Sequence, residues 1–140
     1  MSATTAATQA VRIKTDPDQY DQFKIALGYR VGNLVVISGQ AAIDENGQVV
    51  GTGDLDAQAE QVFKNLTRVL EAAGSGLDKI VKVNIYLTDM SNFPKIVELR
   101  GRYFKQPWPA DTIVGVTALA LPELMIEIEA TAIVDGELVG

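Results

Sequence analysis

Neither cysteine nor histidine occurs anywhere in this chain. The first absence excludes disulfides, thiol nucleophiles and thiolate metal sites. The second removes Ser–His–Asp triads and imidazole ligands, so zinc, haem and iron–sulfur centres built on either residue have nothing to bind. Any group titrating near neutral pH must then be a carboxylate or a lysine shifted by its surroundings. Positive charge is scarce as well: 12 Lys and Arg stand against 18 Asp and Glu, a net charge of −6 and a pI near 4.6. No basic stripe interrupts that surface, so no nucleic-acid partner is expected. No apolar run reaches the ~18 residues of a membrane span. Residues Met1–Ala10 have neither the basic start nor the apolar centre of a secretory signal. That segment is expected to be a flexible leader, and a cytoplasmic location is the default expectation. No cofactor is implied, and only a cation site built from oxygen ligands, for Mg²⁺ or Ca²⁺, stays chemically open.

What is present reads as one ordinary domain over residues 11–140. The composition, 47% hydrophobic and 21% charged, is that of a globular protein. A chain of this length buries ~68–70% of its unfolded surface, enough to fold without staples. Val11–Lys14 suits a short strand, followed by an Asp/Gln-rich turn at Thr15–Gln22. Ala26–Val31 and Leu34–Ser38 suit strands joined by Gly32-Asn33, both tolerant of positive φ in a two-residue hairpin turn. Ala41–Ile43 is a further extended piece, ended by the turn Asp44-Glu45-Asn46-Gly47.

Asp54–Ala73 reads as a helix. Ala59, Val62, Phe63, Leu66, Val69, Leu70 and Ala73 recur at helical spacing with Gln58, Glu60, Gln61, Lys64 and Arg68 between them. Asp54 or Asp56 caps its start and Gly74 follows its end. Ile80–Leu87 alternates, Val81, Val83, Ile85 and Leu87 against Lys82, Asn84 and Tyr86. A second helix runs from Phe93 or Pro94 to Phe104, with Ile96, Val97, Arg100, Tyr103 and Phe104 on one broad face. Lys105–Pro109 is a loop. Thr112–Thr117 and Leu124–Val134 are strands, the latter with Leu124, Ile126, Ile128, Ala130, Ala132 and Val134 on one side. The order predicts an α+β fold with one mixed sheet and both helices on one face. Tyr86, Met125 and Ile133 on the other face would leave an apolar patch, which points to oligomerisation.

Four segments, in order and spacing, resemble the RidA (YjgF) family: Arg30–Gln40 with its Ser38-Gly39-Gln40 close, the helix phrase Asn65–Gly74, the strand Val81–Asp89, and Ile126-Glu127-Ile128-Glu129-Ala130. Together they span roughly Ala26–Val134. The resemblance implies a chorismate-mutase-like fold and a homotrimer whose sheets line a central barrel, with three small-molecule clefts between subunits. It implies hydrolysis of reactive enamines or imines to keto acids and ammonia, in which an arginine of a Pro-Ala-Arg motif grips the substrate carboxylate. A glutamate on the last strand and the Ser-Gly-Gln segment help to position water.

This sequence keeps Glu127 and Gly39 of that set and departs elsewhere. The motif reads Pro109-Ala110-Asp111, so a carboxylate stands where the resemblance places the arginine. Ile113 stands where a cysteine is common, Ile25 at an aromatic position, and Val97 where an asparagine is frequent. Glu127 is either a water-positioning carboxylate or a polar-face residue of an alternating strand. Asp111 either binds a cationic group, works as an acid or base beside Glu127, or caps a turn. Trp108 either walls the cleft or packs a loop, and Arg100 or Arg102 either supplies the missing positive charge or forms ion pairs. A ligand carboxylate 4 Å from Asp111 would be repelled by ~1 kcal/mol in water-like surroundings and ~4 at an effective dielectric of 20, so the cleft is expected to prefer neutral or cationic groups. Gly47, Gly51 and Gly53 fit neither a Walker loop nor a dinucleotide fingerprint. Two functional readings follow: a RidA-like hydrolase or deaminase with altered substrate specificity, using Glu127, Asp111 and the cleft residues Gly39, Ile25, Val97, Ile113 and Trp108, or a non-catalytic trimer that binds a small molecule.

Overall fold

The computed structural model describes residues 7–140. The expected leader lies outside the described residues over 1–6, and its last residue, Ala10, already belongs to a strand. Six strands, β1 (Ala10–Ile13), β2 (Gly28–Val31), β3 (Leu34–Ala41), β4 (Ile80–Leu87), β5 (Ala110–Gly115) and β6 (Ile126–Ile133), form one sheet in the order β1-β2-β3-β6-β4-β5. Only β4 and β5 are parallel neighbours. Helix α1 (Leu55–Ala72) joins β3 to β4, and α2 (Phe93–Tyr103) joins β4 to β5. The β2–β3 hairpin turns on Gly32 at φ 60°, a conformation that costs glycine nothing.

Asp54 is the N-cap of α1, its side chain accepting from the Ala57 N–H at 3.1 Å. The apolar stripe Ala59, Val62, Phe63, Leu66, Val69 and Leu70 is buried against the sheet. Every alternate residue of the closing segment from Leu124 to Val134 is buried on the same side. The rings of Phe63 and Tyr103 stack at 4.0 Å, tying the two helices together on one face. A mixed sheet with both helices on one face is therefore what forms.

Several details depart from the sequence expectation. A register shift between Ile80 and Lys82 puts Ile80 rather than Val81 in the core. On α2 the buried residues are Ile96 and Leu99, while Val97 is 53% exposed. Met125 packs against the core, and the exposed apolar side chains of the open face are Tyr29, Val31, Leu34 and Val36 on the hairpin and Val114 on β5.

Gln58 stood among the polar residues of α1, yet it is fully buried. Its Nε2 donates to the carbonyls of Gly51 and Glu123 at 3.2 and 2.8 Å, and its Oε1 accepts from the Met125 N–H at 2.8 Å. One amide side chain thus anchors α1 to the segment that enters β6. Gln58→Leu strands those three backbone groups and is expected to cost about 2–3 kcal/mol, read as a lower denaturant midpoint at unchanged slope. A loss under about 0.5 kcal/mol would show that the loop re-solvates freely.

Candidate functional site

The open face of the sheet carries Glu127 and Glu129, because β6 turns Ile126 and Ile128 toward the helices. Glu127 sits opposite Tyr86 of β4. On its other side β3 bulges between Ile37 and Gln40, and this brings Gly39 directly against the carboxylate. A Cβ built on Gly39 would lie 2.6 Å from Glu127 Oε2 and 2.8 Å from its Cδ. The missing side chain is what makes room for the carboxylate.

Tyr20 completes the group. Its hydroxyl donates to the Gly39 carbonyl at 2.5 Å, which fixes the bulge from the loop before β2. Burial first, and then the charge of Glu127, push the Tyr20 hydroxyl up to about 12, so it stays a neutral donor. The carboxyl of Glu127 is itself raised above its ordinary value, chiefly by burial and further by Glu129. Glu129 is held differently: Tyr86 donates its hydroxyl to Glu129 Oε1, and Asn84 donates to the same oxygen at 3.1 Å. That bond is the main reason the Tyr86 hydroxyl is raised. One carboxylate is thus fixed in a network, and its neighbour is left half-buried with its proton affinity raised.

Asp111 belongs to a second place. The strand that contains it begins earlier than the sequence suggested, so Asp111 lies inside β5, in register with Val83. It therefore faces the helices and caps no turn. Its carboxylate accepts two bonds from Arg100 of α2, Nε to Oδ2 at 2.8 Å and Nη2 to Oδ1 at 3.0 Å. The Arg100 guanidinium also lies 5.7 Å from the Phe93 ring centroid. Val97, Phe104, Trp108 and Pro109 wall an open cleft of about 570 Å³ around this pair. Trp108 holds φ 69°, a left-handed conformation costing a bulky residue about 1–3 kcal/mol, and such strain concentrates at functional sites.

Of the residues expected to act together, the chain unites Glu127 with Gly39, and Val97 and Trp108 with Asp111. Within one chain Asp111 and Glu127 stand on opposite faces of the sheet, because Asp111 aligns with Val83 and Glu127 with Tyr86, three residues further along β4. Ile113 is half-buried against the core on the helix side. Ile25 is 46% exposed, its N–H bonded to the Tyr20 carbonyl at 3.1 Å. Tyr20 escaped sequence reasoning because it lies in a polar turn without periodicity. Its only sequence signal is an aromatic residue shortly before a strand. Among the described residues no group of three or more carboxylates is placed to hold a metal ion, and no helix is long and apolar enough to cross a membrane.

Fold and site together define a small α+β protein with a glutamate seated against a glycine on the open sheet face and a walled arginine–aspartate pair behind it. A family model described as Endoribonuclease L-PSP matches residues 14–134. The chain is 40% identical over 103 residues to a RutC family protein of Pyrococcus horikoshii, covering 74% of this chain and 81% of that one. It is 34% identical over 106 residues to the 2-iminobutanoate/2-iminopropanoate deaminase of Dermatophagoides farinae, covering 76% and 82%. The solved structure of RidA from the Antarctic bacterium Psychrobacter superposes with a TM-score of 0.72 at 38% identity, covering 78% of this chain and 87% of that one. The chain belongs to this family, which includes RidA and YjgF.

Proposed function

We propose that this protein hydrolyses small reactive imines or enamines. The observation that carries the reading is the contact of Gly39 with a half-buried Glu127 whose carboxyl is raised by burial. A carboxylate whose proton affinity is raised by burial is a stronger general base toward water than an exposed one. Water adds to the imine carbon while Glu127 accepts one of its protons. Glu127 returns that proton to the nitrogen, giving a carbinolamine; its hydroxyl proton then passes to nitrogen as well, the C–N bond breaks, and ammonia leaves behind a carbonyl product. An enamine enters the same sequence after protonation at carbon. A mite relative described as a 2-iminobutanoate/2-iminopropanoate deaminase supports this reaction class.

The charge that a substrate meets at position 111 is set by a pair of residues. Here that position carries a carboxylate already engaged on both oxygens by Arg100. A neutralised pair does not select cations as a free Asp111 would. The apolar side chains Tyr29, Val31, Leu34 and Val36 on the open face fit burial against further copies in a homotrimer.

The test is a coupled assay in which an amino-acid oxidase generates imines in situ and their loss is followed over time. A panel of imines with and without a carboxylate should show at least one whose decay the protein accelerates over buffer. No acceleration with any of them would favour the non-catalytic ligand-binding reading.

A further inference from the structure

Arg100 engages Asp111 side-on. Two of the guanidinium's five N–H donors, one on Nε and one on Nη2, go to the Asp111 carboxylate. Nη1 has no protein partner among the described residues, and it is not one of the buried unpaired atoms. Nη1, at the end of the guanidinium, is therefore accessible. Asp111 on one side and the Phe93 ring nearby limit how the guanidinium plane can turn. A planar guanidinium held this way presents two parallel donors at the spacing of a carboxylate's oxygens. Arg100 also lines the cleft whose other walls, Val97, Phe104, Trp108 and Pro109, are mostly apolar.

We propose that Arg100 is the carboxylate anchor of this cleft and Asp111 its positioning residue, so that the protein binds small 2-imino or 2-oxo acids whose apolar side chains lie against Trp108 and Val97. The positive grip is delivered from helix α2 instead of from strand position 111. Asp111 opposes a bound carboxylate through its charge, but it is the more distant partner, since the guanidinium lies between the two. The orientation it imposes is what allows a bidentate contact. The choice of a 2-imino acid rests on the imine-hydrolase reading; the binding of a carboxylate at Arg100 does not.

The experiment is a calorimetric titration of the full chain with 2-oxobutanoate and with its methyl ester. Wild type should bind the acid at least tenfold more tightly than the ester, with acid affinity falling as salt rises. Arg100→Gln should lose that preference, and Arg100→Lys should recover only part of it. Equal affinity of wild type for acid and ester, or a preference for the ester, overturns the proposal without need of any variant. An Arg100→Gln protein that melts earlier yet keeps the acid-to-ester ratio also overturns it, because the arginine is then only structural. A wild type that binds the acid but accelerates no imine loss would sink the enzyme reading and leave this one standing. Hydrolysis that continues unchanged in Arg100→Gln, for acid and ester imines alike, would do the reverse.

Discussion

Replacing Glu127 with Gln is expected to slow imine hydrolysis by roughly 10²–10⁴-fold, the usual contribution of a positioned general base. The amide keeps the size of the side chain and its seat against Gly39, so the loss should appear in kcat with little change in KM. The same substitution should stabilise the fold at neutral pH. The Glu127 carboxyl is raised in the folded protein, chiefly by burial and then by Glu129. The folded state therefore holds that proton more tightly than the unfolded chain does. Stability is highest below the unfolded carboxylate value and falls as pH rises through the folded one. Glutamine cannot ionise and escapes that loss. Half-exposed charges are screened, so the gain is small. Thermal melts near pH 7.5 should place the variant above wild type, and melts at about pH 4 should bring the two together. A variant less stable than wild type at both values would mean that ionised Glu127 is stabilised by contacts outweighing its burial. In wild type the acid limb of the rate profile should lie higher in pH than that of an exposed glutamate for the same reason.

Gly39→Ala is expected to lower activity by about 100-fold, because displacing a reacting group by an ångström has effects of that order. The new Cβ would fall 2.6 Å from Glu127 Oε2 and 3.0 Å from its Cγ. No φ value forbids alanine here, since Gly39 is not among the positive-φ glycines, so the backbone can accept the side chain. What must move is the carboxylate. Folding should change little, whereas the pH profile should shift as Glu127 turns toward solvent and its burial falls. The combination Gly39→Ala with Glu127→Gln is informative: the two losses should be far from additive, since both act through one group. Additive losses in that cycle would place the role of Gly39 elsewhere, in the backbone contact with Tyr20.

Much of the architecture was legible in the chain because its causes are local. Strict alternation from Leu124 to Val134 defines a buried side whatever the partners, since successive strand side chains point oppositely. The spacing of Ala59, Val62, Phe63 and Leu66, with Asp54 before and Gly74 after, defines α1 in the same way. Glu127 and Gly39 were legible only as members of a family pattern, and the structure brings them into contact across a bulge that no periodicity marks.

Other features needed partners distant along the chain. Gln58 looks like any polar helix residue until Glu123 and Met125, 65 and 67 residues later, close around its amide. Leu99 replaces Val97 in the core because the sheet's twist and the placement of α2 decide which side of a broad apolar arc is covered. Composition and local pattern by themselves determined that this chain folds without thiols or imidazoles, as a mixed sheet under two helices. Tertiary structure alone decided that Asp111 is already paired, that its partner is Arg100, and that it stands on the other face of the sheet from Glu127. The physical reason is the same in each case. Secondary structure answers to neighbours a few residues away, whereas the charge a ligand meets depends on which side chains the strand register and helix crossover bring within 3 Å of each other.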